Sequence, residues 1–170
     1  MKRVADVIFE ILKQHTDVVF MLPGGGAMYL VDALGQSGIP YVPMLHEQGA
    51  GMAACGYAGI SGKLGVCLVT SGPGATNAIT ACKAAFDDSF AVLFVSGQTS
   101  LSGWNPNTRT CGVQSSRIVD MVKPITKWAV MTTGESESIS ALVRMIDICL
   151  EARQGPCWLD IPMDVQGEVI

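Results

Sequence analysis

Charge is scarce in this sequence. Only 15% of its 170 residues are Asp, Glu, Lys or Arg, and the formal net charge is -4. With no dense Lys/Arg run, the chain offers neither a basic face for phosphate backbones nor a polybasic membrane patch, so nucleic acid and membrane are not expected partners. No stretch of 18 consecutive apolar residues occurs, which argues against a transmembrane helix. After Met1-Lys2-Arg3 come Asp6, Glu10, Lys13 and Asp17 rather than an apolar core, so the start reads as a helix and not as a secretion signal. The six cysteines, Cys55, Cys67, Cys82, Cys111, Cys149 and Cys157, form no CxxC pair, and no His stands at ligand spacing; no metal site is expected in this chain. Most of them lie in apolar runs, as Cys67 does between Gly65 and Val69, where a thiol behaves as a small hydrophobe. They read as reduced, and the compartment as cytoplasmic.

What is present is apolar. Hydrophobic residues make up 49% of a chain long enough for one domain with a sizeable core and too short to suggest two, so residues 1–170 are read as a single domain with a buried interface. Helix-period segments alternate with short apolar runs from end to end. The helices are expected around Val4 to Leu12, Met28 to Gly35, Glu47 to Ala58, Ala78 to Asp87, Ser115 to Met121 and Ser136 to Arg153; the strands at Val18 to Met21, Ile39 to Leu45, Gly65 to Val69, Ala91 to Val95, Lys127 to Met131 and Pro156 to Ile161. That alternation predicts an α/β fold, a three-layer α/β/α domain around a six-stranded, mainly parallel sheet, with Pro162 closing it. Between Ser96 and Gln114 no periodicity is sustained, and a segment of that length reads as a functional loop.

One carboxylate stands at a seam of this pattern. Glu47, in His46-Glu47-Gln48, begins a helix at the carboxyl end of a strand, the edge where ligands gather in open α/β sheets. Acidic residues also favour first helical turns for structural reasons, so taken alone Glu47 reads first as a helix-start residue. Three glycine-bearing turns, Pro23 to Gly26, Gly72 to Gly74 and Ser96-Gly97-Gln98, follow apolar strands and so line the same edge. Together they outline a cleft.

In this order the sequence resembles the pyrimidine-binding N-terminal domain of thiamine diphosphate enzymes, of the acetolactate synthase-like family. The resemblance rests on Pro23-Gly24-Gly25, on His46-Glu47-Gln48 followed by Gly56-Tyr57-Ala58, and on Gly65 to Asn77 with its Thr70-Ser71-Gly72-Pro73-Gly74. Ser96-Gly97-Gln98, Gly112-Val113-Gln114, Ile125-Thr126-Lys127 and Gly155 to Pro162 continue it across essentially the whole chain. It implies that Glu47 is the catalytic residue, sharing a proton with N1′ of the cofactor's aminopyrimidine, a task aspartate would not reach and glutamine could not perform. It implies further that Gly72, Pro73, Gly74 and Asn77 lie against the pyrimidine, and that Pro23, Gly24, Gly25 and Gln114 face the substrate end. His46 stays between a structural and a functional role.

The resemblance also implies what other parts must supply. Relatives hold the diphosphate and its Mg2+ through a Gly-Asp-Gly motif, which this sequence lacks, so a diphosphate-binding domain or subunit is an expected partner. The expected activity is decarboxylation and carboligation of a small-molecule 2-oxo acid such as pyruvate; FAD is compatible with the resemblance but no residue here calls for it. The small residues Gly49, Ala50, Gly51, Ala53, Ala54 and Gly56 predict close approach of a partner helix in a homodimer or dimer of dimers. The sequence departs from the common pattern at Gly59, where arginine is frequent, at Ala91, where proline is, and at Met52 and Cys55, where polar residues are; the last two are expected to affect the subunit contact. Other members of the family act as decarboxylases, lyases or oxidases. Two alternatives from outside it are a nucleotide- or flavin-binding module cradling an anion at Gly72-Pro73-Gly74, which the missing GxGxxG and Pro73 disfavour, and a non-catalytic assembly domain.

Overall fold

The computed structural model describes residues 1–170. Six strands form one sheet in the order β2-β1-β3-β4-β6-β5, and every neighbouring pair runs parallel. They are β1 (Val19–Met21), β2 (Tyr41–Pro43), β3 (Gly65–Val69), β4 (Val92–Gln98), β5 (Trp128–Met131) and β6 (Cys157–Pro162). Eight helices connect them: α1 (Val4–Leu12), α2 (Met28–Ser37), α3 (Glu47–Ser61), α4 (Pro73–Asn77), α5 (Ile79–Asp88), α6 (Ile118–Val122), α7 (Glu135–Leu150) and α8 (Met163–Gln166).

The strand period of two divides the core into two layers. Val66, Leu68, Leu93, Val95, Leu159 and Ile161 point to one face, beneath α1, α2, α7 and α8. Cys67, Val69, Val92, Phe94 and Trp158 point to the other, beneath α3, α5 and α6. Because β3, β4 and β6 are buried along their whole length, they carry the near-continuous apolar runs typical of doubly covered parallel strands. None of the helices is long and apolar enough to cross a membrane.

Several boundaries differ from the sequence-based expectation. The run Ile39 to Leu45 yields only Tyr41–Pro43, an exposed edge strand, because Pro40 and Pro43 bring no N–H to a ladder. Gly35 does not stop α2, which continues to Ser37 and ends at Gly38 in the left-handed conformation, with φ of 73°. Pro162 does not close the domain. Beyond it α8 returns across the sheet, and fully buried Gln166 donates from Nε2 to the carbonyls of Gly26 (2.8 Å) and Ile161 (2.7 Å).

The small residues of α3 are divided between two tasks. Ala50, Gly51, Ala54, Cys55 and Ala58 are buried against the domain's own sheet and α5, so most of the closeness that small residues permit is spent inside the fold. Outward stand Met52, Gly56 and Ile60, with Ala53 and Tyr57 half-buried. Met52 therefore remains available for a subunit contact, whereas Cys55 does not: its Sγ donates to the Ala81 carbonyl. Gly59 lies against the Phe90 ring, where a Cβ would come within 2.8 Å.

One polar network crosses the layer of α3 and α6. Ser96 donates to Oδ1 of Asp160 (2.6 Å), Gln98 Nε2 donates to Oδ2 (2.9 Å), and Trp158, stacked on Phe94 at 5.0 Å, donates from Nε1 to Ser96 Oγ. Complete burial pushes the Asp160 carboxyl up to about 7, against the pull of both hydrogen bonds. Since the folded form holds this proton where the unfolded form has lost it, stability falls as pH rises from the ordinary carboxylate range to about 7. Denaturant unfolding of the parent protein and of Asp160→Asn at pH 5 and pH 8 is expected to move in favour of the variant at the higher pH, by at least about 1 kcal/mol, the worth of one pKa unit.

Candidate active site

Glu47 is the first residue of α3, and only 8% of it is exposed. Its helix starts where it does because His46, extended at φ of -155°, caps it: the His46 Nδ1 accepts the Gln48 N–H at 3.2 Å. This gives His46 a structural task at an exposed position. Glu47 thus stands in the first turn of a 15-residue helix, a position where acidic residues are common.

The Gly72 to Asn77 run reaches this carboxylate directly. Asn77, the last residue of α4, donates from Nδ2 to Glu47 Oε2 at 2.9 Å. The other oxygen, Oε1, faces Gly74, where an added Cβ would lie 3.4 Å from it. Thr70, just beyond β3, fills the space that side chains would need on both sides: a Cβ would meet its Cγ2 at 2.5 Å from Gly24 and at 2.6 Å from Gly74. The hydroxyl of Thr70 is buried with no hydrogen-bond partner. Two glycine turns thus close on one threonine beside a carboxylate whose Oε1 faces Gly74.

Gly72 marks a second close approach. Its φ of 57° with ψ of -117° is a glycine conformation, and a Cβ there would stand 2.3 Å from the Gln114 carbonyl oxygen. Gln114 itself has φ of 59°, unusual for a non-glycine residue. The Gln114 segment is therefore joined to the cleft through its backbone, while its side chain is exposed. Pro23, Gly25 and Pro73 are exposed at the rim. The third glycine turn expected from sequence is not a turn: Ser96, Gly97 and Gln98 are the end of β4, paired with Asp160, Ile161 and Pro162.

Two residues of this region carried no role in the sequence reading. Thr70 was visible only as part of a motif, and nothing in a linear string says that its methyl group fills two glycine gaps. Gln166 lay beyond the expected end of the domain, yet it holds the carbonyl of Gly26 in the first glycine turn.

Fold and edge together define an α/β ligand-binding domain of the doubly wound class. Residues 2–120 match the family described as thiamine pyrophosphate enzyme, N-terminal TPP binding domain, and the chain belongs to that family. It is 38% identical over 160 residues to the acetolactate synthase isozyme 2 large subunit of Escherichia coli, covering 94% of this chain and 28% of the relative. It is also 38% identical to the acetolactate synthase large subunit of Corynebacterium glutamicum, covering 90% of this chain and 24% of that one. The mitochondrial acetolactate synthase catalytic subunit of Saccharomyces cerevisiae is 38% identical over 159 residues, 93% of this chain and 23% of its own length. The chain thus spans about a quarter of the length of these relatives.

The Gly72 contact is testable apart from any activity. Gly72→Ala puts a side chain against the Gln114 backbone at a left-handed position, and it is expected to lower stability by about 2 kcal/mol or more. Urea denaturation reads this out. An unchanged midpoint would mean that the segment at Gln114 yields freely.

Proposed function

We propose that this chain is the pyrimidine-binding half of a thiamine diphosphate-dependent enzyme that acts on 2-oxo acids, as acetolactate synthases do, with pyruvate as donor and carboligation as the outcome. The observation that carries this reading is the Glu47 carboxylate, held on one oxygen by Asn77 and facing Gly74 with the other, at a point where Thr70 leaves no room for a Cβ on Gly74 or Gly24 and the bare backbone is open to close approach. A flat, hydrogen-bonding ring fits such a place. The unpartnered Thr70 hydroxyl at its wall supports the same reading.

Thiamine diphosphate, when bound, supplies a thiazolium carbon able to take up the electrons released when the carboxylate of a 2-oxo acid departs. What this chain's own residues do is hold and exchange a proton. Glu47 Oε1 gives or takes it at N1′ of the pyrimidine, Asn77 fixes the carboxylate's orientation, and Gly72, Pro73 and Gly74 let the backbone approach the ring. Pro23, Gly24, Gly25 and Gln114 stand toward the substrate. The diphosphate and its Mg2+ fall to a domain or subunit outside residues 1–170, in keeping with the quarter-length span relative to the acetolactate synthases.

Assembly belongs to the same proposal, as a homodimer or dimer of dimers. Its support is the apolar surface of Phe20, Ala53 and Ile60 on the outer side of α3, with exposed Met52 on the same helix and exposed Val42 paired to Phe20 at the β2 edge. The six cysteines are all free and buried, which supports a reducing compartment, here the cytoplasm.

Glu47→Gln in the full-length protein keeps the size of the side chain and an acceptor for Asn77, and removes only the transferable proton. Turnover of the 2-oxo acid is expected to fall about a hundredfold or more with cofactor affinity little changed; near-native turnover would return Glu47 to a purely structural role. For assembly the informative position is Ala53, because Ala54 is sealed inside the domain. Ala53→Glu, burying an unpaired charge in the interface, is expected to shift the full-length protein to monomers in sedimentation, a cost of roughly 3–5 kcal/mol. An unchanged dimer would remove this face of α3 from the assembly.

A further inference from the structure

In a doubly wound sheet, crevices open between adjacent strands whose following connections leave toward opposite faces. After β1 the chain goes to α2 on one face and after β3 to α4 and α5 on the other, which opens the cleft of Glu47. After β4 the chain goes to α6, on the face of α3 and α5, whereas after β6 it goes to α8, on the opposite face. A further crevice therefore lies between β4 and β6, two strand spacings or about 10 Å from the β1–β3 pair along the same edge.

A cavity of about 230 Å3 lies at this β4–β6 crevice. Asp160 of β6, opposite Ser96 of β4, lies at its floor; Trp104 and Arg117 come from the segment between β4 and α6, Val119 from α6, and Met131 from the end of β5. The exposed lining is predominantly apolar. Three ionisable residues line it, Asp160, Asp120 and Arg117, and the Arg117 guanidinium donates to the Pro106 carbonyl and to neither carboxylate. The Asp160 carboxylate has two neutral hydrogen-bond donors and no cationic partner. A buried carboxylate is stabilised most by a cation that brings its own hydrogen-bond donors. The volume falls below the roughly 300–1,000 Å3 of pockets for drug-sized ligands, so the occupant is smaller.

We propose that the crevice between β4 and β6 is a second binding site, separate from the cleft of Glu47, that takes a small organic ammonium compound: its short apolar body lies against Trp104, Val119 and Met131, and its ammonium group meets Asp160. The titratable groups that bear on Asp160 are few. Arg117 and Asp120 come from α6 and the segment before it, β4 brings the neutral Ser96 and Gln98, and β5 brings the neutral Met131. The ionised carboxylate is the binding form. With its carboxyl pushed up to about 7, the ionised share rises about tenfold from pH 6 to pH 8, and apparent affinity rises with it.

The test uses three probes of one length, n-butylammonium, n-butanol and butyrate, titrated into the full-length protein and followed by the Trp104 indole resonance and by calorimetry. The expected result is n-butylammonium binding about tenfold tighter at pH 8 than at pH 6, weaker binding of n-butanol, and none of butyrate. Asp160→Asn is expected to abolish the pH dependence and weaken n-butylammonium at least tenfold. Val119→Trp, which fills the cavity and leaves the carboxylate in place, is expected to abolish binding; it decides the matter if the asparagine variant fails to fold. Glu47→Gln is expected to leave n-butylammonium binding unchanged, which separates this site from the cofactor cleft. No binding of n-butylammonium to the parent protein at pH 8, equal binding of the three probes, or binding that survives Val119→Trp would each overturn the proposal.

Discussion

A parallel sheet covered on both faces leaves polar chemistry almost nowhere to stand, and that constraint orders the rest of this molecule. The inner strands β3, β4 and β6 are buried from first residue to last, so side chains along them are committed to one hydrophobic layer or the other. Polar groups can collect only where the strands stop. At the end of β3 they are Thr70 and the glycine turn beyond it; at the ends of β4 and β6 they are Ser96, Gln98 and Asp160. Both groups lie at the carboxyl edge because in a parallel sheet all strands end together.

The two polar groups differ in how they are satisfied. Glu47 has a single side-chain donor, Asn77, and a helix terminus at its back, which leaves one oxygen disposable. Asp160 is gripped from both sides and still retains its proton up to near neutrality, because desolvation outweighs two neutral hydrogen bonds. The contrast is one of surroundings, since the two side chains share a functional group. A carboxylate at the mouth of a helix is held ready, whereas one under the sheet edge is held in place.

Most of the architecture was legible in the sequence for a simple reason: strands buried on both faces are spelled as bare apolar runs, and helices between them as spaced ones. Gly65 to Val69 could hardly be read otherwise. The weakest reading was at the edge, where Ile39 to Leu45 looked like a full strand although two prolines confine pairing to three residues. Small residues also misled. Ala54 and Ala53 are indistinguishable in a string, yet one faces the sheet and the other the outside, a matter of a helical turn that composition does not encode. The cleft was legible as far as its motifs were local, at Glu47 and at Gly72 to Asn77. It was illegible wherever contacts joined distant segments, as between Gly72 and the backbone of Gln114, or between Thr70 and Gly24.

The bond from Gln166 to the Gly26 carbonyl joins residues 140 positions apart. Nearby, Val4 donates to the Glu168 carbonyl and Ile170 to that of Lys2, so the last turn of the chain is zipped to the first helix. On the ribosome this sets a schedule. The first glycine turn emerges early and waits for its clamp through the synthesis of those intervening residues, about 7 to 28 s at 5–20 residues per second. Until then β4 lacks β6, which lies between it and β5, and the turn lacks the helix that fixes its carbonyl. The first glycine turn is therefore among the last parts of the nascent domain to be fixed, although the Glu47 and Asn77 side of the cleft is made from residues synthesised long before α8.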